Sequence, residues 1–151
     1  MKIYQGKRLR KGRFSEIHRP YLLTTVTFER QRIFRDLFLG RLVVAEMREV
    51  TERKLVESLA WVIMPDHVHW LVTLRAVDLG TLMNRIKSRS AVAINRHKTS
   101  SGPVWQRGFH DHAIRAEEDI RDVARYVVAN PLRAGLVRKL GDYPLWDAIW
   151  L

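Results

Sequence analysis

The sequence predicts a single α+β domain: an antiparallel sheet with its helices gathered mainly on one face. Three observations carry that expectation. Short β-branched and aromatic runs alternate with longer stretches of helical apolar spacing. Two of the runs, residues 59–64 and 67–74, are separated only by Pro65 and Asp66, which leaves room for an antiparallel hairpin and nothing longer. A length of 151 residues suits one domain with a real core.

YLLTTVTF (residues 21–28) is rich in β-branched and aromatic side chains and reads as the first strand. Across residues 36–56, Leu39, Val43, Met47 and Val50 recur at helical spacing. LAWVIM (59–64) and HVHWLVTL (67–74) form the hairpin. Leu79, Leu82, Met83, Ile86, Ala93 and Ile94 mark a second helix, with Arg85, Arg89 and Arg96 grouped on another face. SSGP (100–103) reads as a loop, and VWQRGFHDHAI (104–114) should contain a fourth strand. Glu117, Glu118 and Asp119 open a third helix, where negative charge complements the dipole. Its apolar stripe is Ile120, Val123, Ala124, Val127 and Val128. Asn130–Pro131 is expected to end it, because proline pushes the preceding residue out of helical geometry. DYPLWDAIW (142–150) should close the fold with Trp146 and Trp150 packed down. The resulting order, β-α-ββ-α-β-α, is that of a ferredoxin-like or RRM-like domain, with residues 1–19 as a basic arm.

Charge narrows the function. The net charge is +11, and two blocks account for all of it. Residues 1–19 hold seven basic residues and one acidic; residues 79–110 hold six basic residues and none acidic. Solvated surfaces normally mix signs, so a polyanion is the expected partner, nucleic acid before membrane. No apolar run is long enough to span a bilayer, and no apolar stretch follows the N-terminal charges as a secretory signal requires. Cysteine is absent, excluding disulfides and thiolate chemistry; a cytoplasmic location fits.

WVIMPDHVHWLV (61–72) is apolar enough to be buried, yet it carries His67 and His69. On a strand the two share a face, about 6–7 Å apart along the chain. That spacing suits two ligands of one ion, and it equally suits hydrogen-bonded or solvent-facing imidazoles. A second such pair, His110 and His112, weakens the spacing as a signal. Further along, RYVVANP sets Tyr126 and Asn130 four residues apart, neighbours on one flank of the third helix. Taken alone, they read as a boundary tyrosine and a helix cap.

Together these segments resemble the HUH nucleases with one catalytic tyrosine, and more narrowly the REP-associated tyrosine transposases, relatives of the transposases of small insertion sequences. The matching strings are GRFSEIHRPYLLTTVTF, WVIMPDHVHWLV, VWQRGFHDHAIR, RYVVANPLRAGLV and DYPLWDAIW, in the family's order from Gly12 onward. One departure is His110, where the family pattern is more often aromatic. The resemblance implies the HUH endonuclease fold, with His67 and His69 as metal ligands, Asn130 as third ligand and Tyr126 as nucleophile. It implies a divalent ion, Mg²⁺ or Mn²⁺, and no nucleotide cofactor, because a phosphodiester is exchanged for a 5′-phosphotyrosine and a free 3′-OH. The implied partner is single-stranded or hairpin DNA, handled by a monomer or a homodimer. Arg85, Lys87, Arg89 and Arg107 are candidates for its phosphates, with Arg8, Arg10, Lys11 and Arg13 as a basic arm and His112 as a further DNA contact. Trp105 and Phe109 fit base stacking or, better, the core. Two rivals remain: a catalytically silent RRM-like nucleic-acid-binding module, and a metal-dependent hydrolase using activated water.

Overall fold

The structure, a computed structural model, describes residues 4–5, 15–115 and 118–150. Arg8, Arg10, Lys11 and Arg13 of the basic arm lie outside the described residues, as does Glu117. The elements are strands β1 (Tyr4–Gln5), β2 (Pro20–Val26), β3 (Val56–Met64), β4 (His67–Leu74), β5 (His110–Ala113) and β6 (Trp146–Ala148). The helices are α1 (Leu37–Glu52), α2 (Leu79–Lys98), α3 (Ile120–Val128) and a single turn, α4 (Asn130–Arg133). The strands form one antiparallel sheet in the order β1-β5-β2-β4-β3-β6. β3 and β4 meet at the two-residue turn that the sequence requires, and the pair forms the centre of the sheet with β2.

The helices start where short acidic side chains can take orphan amides. Asp36, Asp78 and Asp119 accept from Phe38 N, Thr81 N and Arg121 N respectively. α1 lies on the Ile63 side of β3: a Cβ on Gly40 would stand 3.5 Å from Ile63 Cγ2. α2 packs beside α1, tied by Arg85 and Arg89 to Glu46 and Glu49. Ile63 and Val62 alternate across the sheet, and Val62 is the cross-strand partner of His69. The two long helices thus cover the face away from the histidines. α3 packs on β3, β4 and β6.

The third helix departs from expectation at its end. Asn130–Pro131 does not stop the chain from coiling; α3 ends at Val128 and α4 begins at Asn130. Proline is tolerated because it occupies the first turn of the new helix, where its missing N–H has no partner to lose.

Two local contacts make testable claims about packing. The same added Cβ on Gly40 would fall 2.5 Å from Leu145 Cδ1, a side chain that is itself buried. Gly40→Ala gains roughly 1 kcal/mol of helix propensity but forces overpacking that costs about 1–3 kcal/mol. A net loss of about 1 kcal/mol is expected in urea unfolding. Tyr143 donates its hydroxyl to Ile63 O, and burial pushes its phenol up to about 12. Between the unfolded value near 10 and the folded one, the native state keeps a proton that the unfolded chain releases. Stability should therefore fall between pH 10 and 12, by about 2–3 kcal/mol. Tyr143→Phe, measured by chemical denaturation, should lack that component.

Candidate active site

The histidine pair sits at the hairpin end of β4. Its neighbours follow from register: Thr24 and Val62 flank His69, while Val26 and Met64 flank His67. The two rings meet edge to face with centroids 4.8 Å apart. Each already has a partner on Nδ1. His67 Nδ1 lies 2.7 Å from Asp66 Oδ1, and His69 Nδ1 lies 2.8 Å from Thr24 Oγ1. The Asp66 carboxylate can only accept, which favours the His67 tautomer whose Nε2 carries the lone pair; the Thr24 hydroxyl orients the His69 ring and meets the same tautomer when it accepts from Nδ1. Both rings are thereby oriented as metal ligands usually are.

Electrostatics agree. Burial holds His69 down at about 3, with the charges of His67, Arg133 and Arg30 adding to it. The ring is neutral at physiological pH, and no proton must leave before it can ligate. Burial works to raise the Asp66 carboxyl, but the hydrogen bond and charge of His67, joined by Arg30, hold it below its ordinary value. Arg30 reaches Asp66 Oδ2 at 3.4 Å from a tight turn in which Glu29 and Arg30 both have left-handed backbone (φ 53° and 54°). Non-glycine residues adopt that region at a cost. Buried Thr27 holds the turn in place, its Oγ1 donating to Gln31 O and Asp66 O.

Tyr126 projects from α3 with 47% of its surface exposed, so the phenol is open to a ligand. Asn130, one turn on, donates from Nδ2 to Val127 O at 3.2 Å. The amide caps the end of α3 with its nitrogen and keeps Oδ1 for other duty. Arg133 joins the two halves of the site. Its guanidinium carbon stands 3.8 Å from the centroid of the Tyr126 ring, and its charge acts on His69. Among the described residues no three His, Asp or Glu side chains gather into a metal-binding group. A metal ion at the histidine pair would therefore take oxygen from an amide, a phosphate or water.

The remaining candidates scatter. Arg85 and Arg89 face α1: Arg85 donates to Glu49 at 2.6 Å, Arg89 to Glu46 at 2.7 Å. Lys87 donates to Gln106 O and Gly108 O, both at 2.7 Å, and so clamps the loop before β5. Arg107 is exposed on that loop, which runs beside the end of β2 through Gln106 N to Val26 O. Val26 is the cross-strand neighbour of His67, so Arg107 borders the histidine end of the sheet. His112 is buried, with Nε2 3.1 Å from Glu118 Oε1, and presents no surface to DNA in this arrangement. Trp105 and Phe109 are core residues, the Trp105 indole donating to Ser90 Oγ.

The model of the family described as "Transposase IS200 like" matches residues 18–130. The chain belongs to that family. A REP-associated tyrosine transposase of Escherichia coli strain K12 is 32% identical over 87 residues, covering 56% of this chain and 50% of its own length. A protein of Haemophilus influenzae provisionally named as another is 27% identical over 135 residues, covering 82% of this chain and 76% of that one. The match to the first relative thus spans only half of that protein. Among solved structures, a REP-associated tyrosine transposase bound to a REP hairpin superposes with a TM-score of 0.72 at 24% identity, over 89% of this chain and 79% of the other. A provisionally named transposase of Deinococcus radiodurans R1 gives 0.54 at 18% identity, over 75% and 92%. At these identities the two structures establish the fold of this IS200-like chain, an α+β domain with an antiparallel sheet.

Asp66, Thr24, Arg30 and Arg133 were not among the sequence candidates. Two had a visible signal. Asp66 directly precedes His67, and Arg133 follows Tyr126 by seven residues, two helical turns.

Proposed function

We propose that this IS200-like chain cleaves and rejoins single-stranded DNA beside a hairpin, through a covalent 5′-phosphotyrosine on Tyr126. The observation that carries the reading is Arg133, which stands over the exposed Tyr126 ring while its charge acts on His69, one of two imidazoles that meet on one face of β4. The donor set fits a divalent ion: Nε2 of His67 and His69, with Asn130 Oδ1 as the amide oxygen. Mg²⁺ or Mn²⁺ held there would supply Lewis acidity to the scissile phosphate. Asp66 favours the ligating tautomer of His67, and Thr24 holds the His69 ring in orientation. Tyr126 attacks phosphorus: its Oη–P bond forms as the P–O3′ bond breaks, the phenol loses its proton and the leaving 3′ oxygen gains one. The phosphodiester becomes a phosphotyrosyl ester of similar energy, so the step can reverse and join strands without a nucleotide cofactor.

One chain supplies both the tyrosine and the imidazoles, and Arg133 touches the first while its charge reaches the second. That supports cleavage in cis. Arg107 and Lys87, with Arg8, Arg10, Lys11 and Arg13 of the arm, are the favoured phosphate contacts. Arg85 and Arg89 contribute less, because Glu46 and Glu49 already balance them. The test is a denaturing gel after incubation with labelled hairpin-bearing single strands and Mn²⁺ or Mg²⁺. A covalent protein–DNA adduct is expected. Cut DNA without adduct would point to activated water, and uncut bound DNA to a silent binding module.

A further inference from the structure

We infer that Arg133 is a further catalytic residue, one that steadies the phenol of Tyr126 and takes a non-bridging oxygen of the scissile phosphate when DNA binds. The inference rests on the phosphotyrosine reading and adds a residue to it. Arg133 is exposed, at the end of the turn that follows Asn130. Its guanidinium stands over the Tyr126 ring with Cζ 3.8 Å from the centroid, well inside the range of a cation–π contact. Its charge also acts on His69. Among the described residues the other arginine whose charge acts on His69 is Arg30, and that side chain is engaged by Asp66.

A phosphate attacked by Tyr126 must come within bonding distance of Oη, and its oxygens then fall beside the group stacked on the ring. In the transition state Oη–P is partly formed and P–O3′ partly broken, with the negative charge carried on the non-bridging oxygens. A guanidinium offers two parallel N–H donors to such oxygens while its flat face stays on the ring. A lysine ammonium can offer charge but neither the fork nor the stacked face. The single turn Asn130–Arg133 after α3 brings Arg133 back over the Tyr126 ring.

The experiment measures the single-turnover rate of adduct formation at saturating hairpin DNA with Mn²⁺, and DNA affinity by anisotropy without divalent ion. Arg133→Ala should slow the adduct about 100-fold, the scale for removing one transition-state donor, with affinity changed less than about threefold. Arg133→Lys should recover under a tenth of the lost rate, and added methylguanidinium should accelerate the alanine variant while leaving wild type unchanged. A rate within twofold of wild type in Arg133→Ala overturns the inference and leaves the nuclease reading standing. A loss that disappears once DNA is raised to saturation also overturns it, since the residue would then only bind. No adduct in the wild type sinks the nuclease reading and the Arg133 role together.

Discussion

Tyr126→Phe is expected to abolish the proposed covalent adduct, by at least about 10⁴-fold, since removal of the proposed nucleophile leaves only the slow background of the remaining machinery. The substitution is clean. The phenol is 47% exposed, so losing its oxygen opens no cavity and should change stability by less than about 0.5 kcal/mol. Phenylalanine keeps the ring on which Arg133 rests, and the guanidinium should stay where it is. Hairpin affinity in the absence of divalent ion should be unchanged, because one exposed hydroxyl carries none of the phosphate-neutralising charge. The measurement is adduct on a denaturing gel beside an anisotropy titration. Adduct persisting in Tyr126→Phe would mean that another side chain attacks; loss of binding in step with loss of adduct would make Tyr126 a DNA contact.

Much of the fold could be read from the chain, and the exceptions share a cause. The hairpin was legible because period-two alternation and a two-residue turn leave one solution, and β4 spans His67–Leu74 as expected. β3 begins earlier than its sequence suggests, at Val56, since the register shift between Ser58 and Ala60 breaks the alternation that marks a strand. β1 and β6 are two and three residues long, edges defined by the ladder and invisible to local pattern. The site divides the same way. His67 and His69 share a face by alternation, and Tyr126 and Asn130 share one by helical spacing. Thr24 and Arg30 approach the histidines only through strand register and a strained turn, which no local pattern encodes. Nor does the run of basic residues on α2 disclose that Glu46 and Glu49, about 40 positions earlier, meet Arg85 and Arg89.

His69→Gln should remove divalent-ion binding while preserving the domain, and it separates the ion from the nucleophile. Alanine is the poorer choice: His69 is hydrogen-bonded to Thr24, and truncation would leave that buried hydroxyl without its partner, at roughly 1–3 kcal/mol. Glutamine fills much of the space and can still meet Thr24, but its amide is a weaker ligand held by no fixed ring geometry. Losing one of the two proposed nitrogen ligands should weaken Mn²⁺ by more than the roughly 10–100-fold seen when only an outer-sphere partner is lost. An ion that binds the native state alone stabilises it by RT ln(1 + [L]/Kd), so Mn²⁺ should raise the melting temperature of wild type and barely move that of His69→Gln. The shift should also persist as pH is lowered past 6.5 so far as His69 is concerned, because burial keeps that ring neutral down to about 3. An equal thermal shift in both proteins would place the ion elsewhere, and with it the polarising group that the tyrosine chemistry requires.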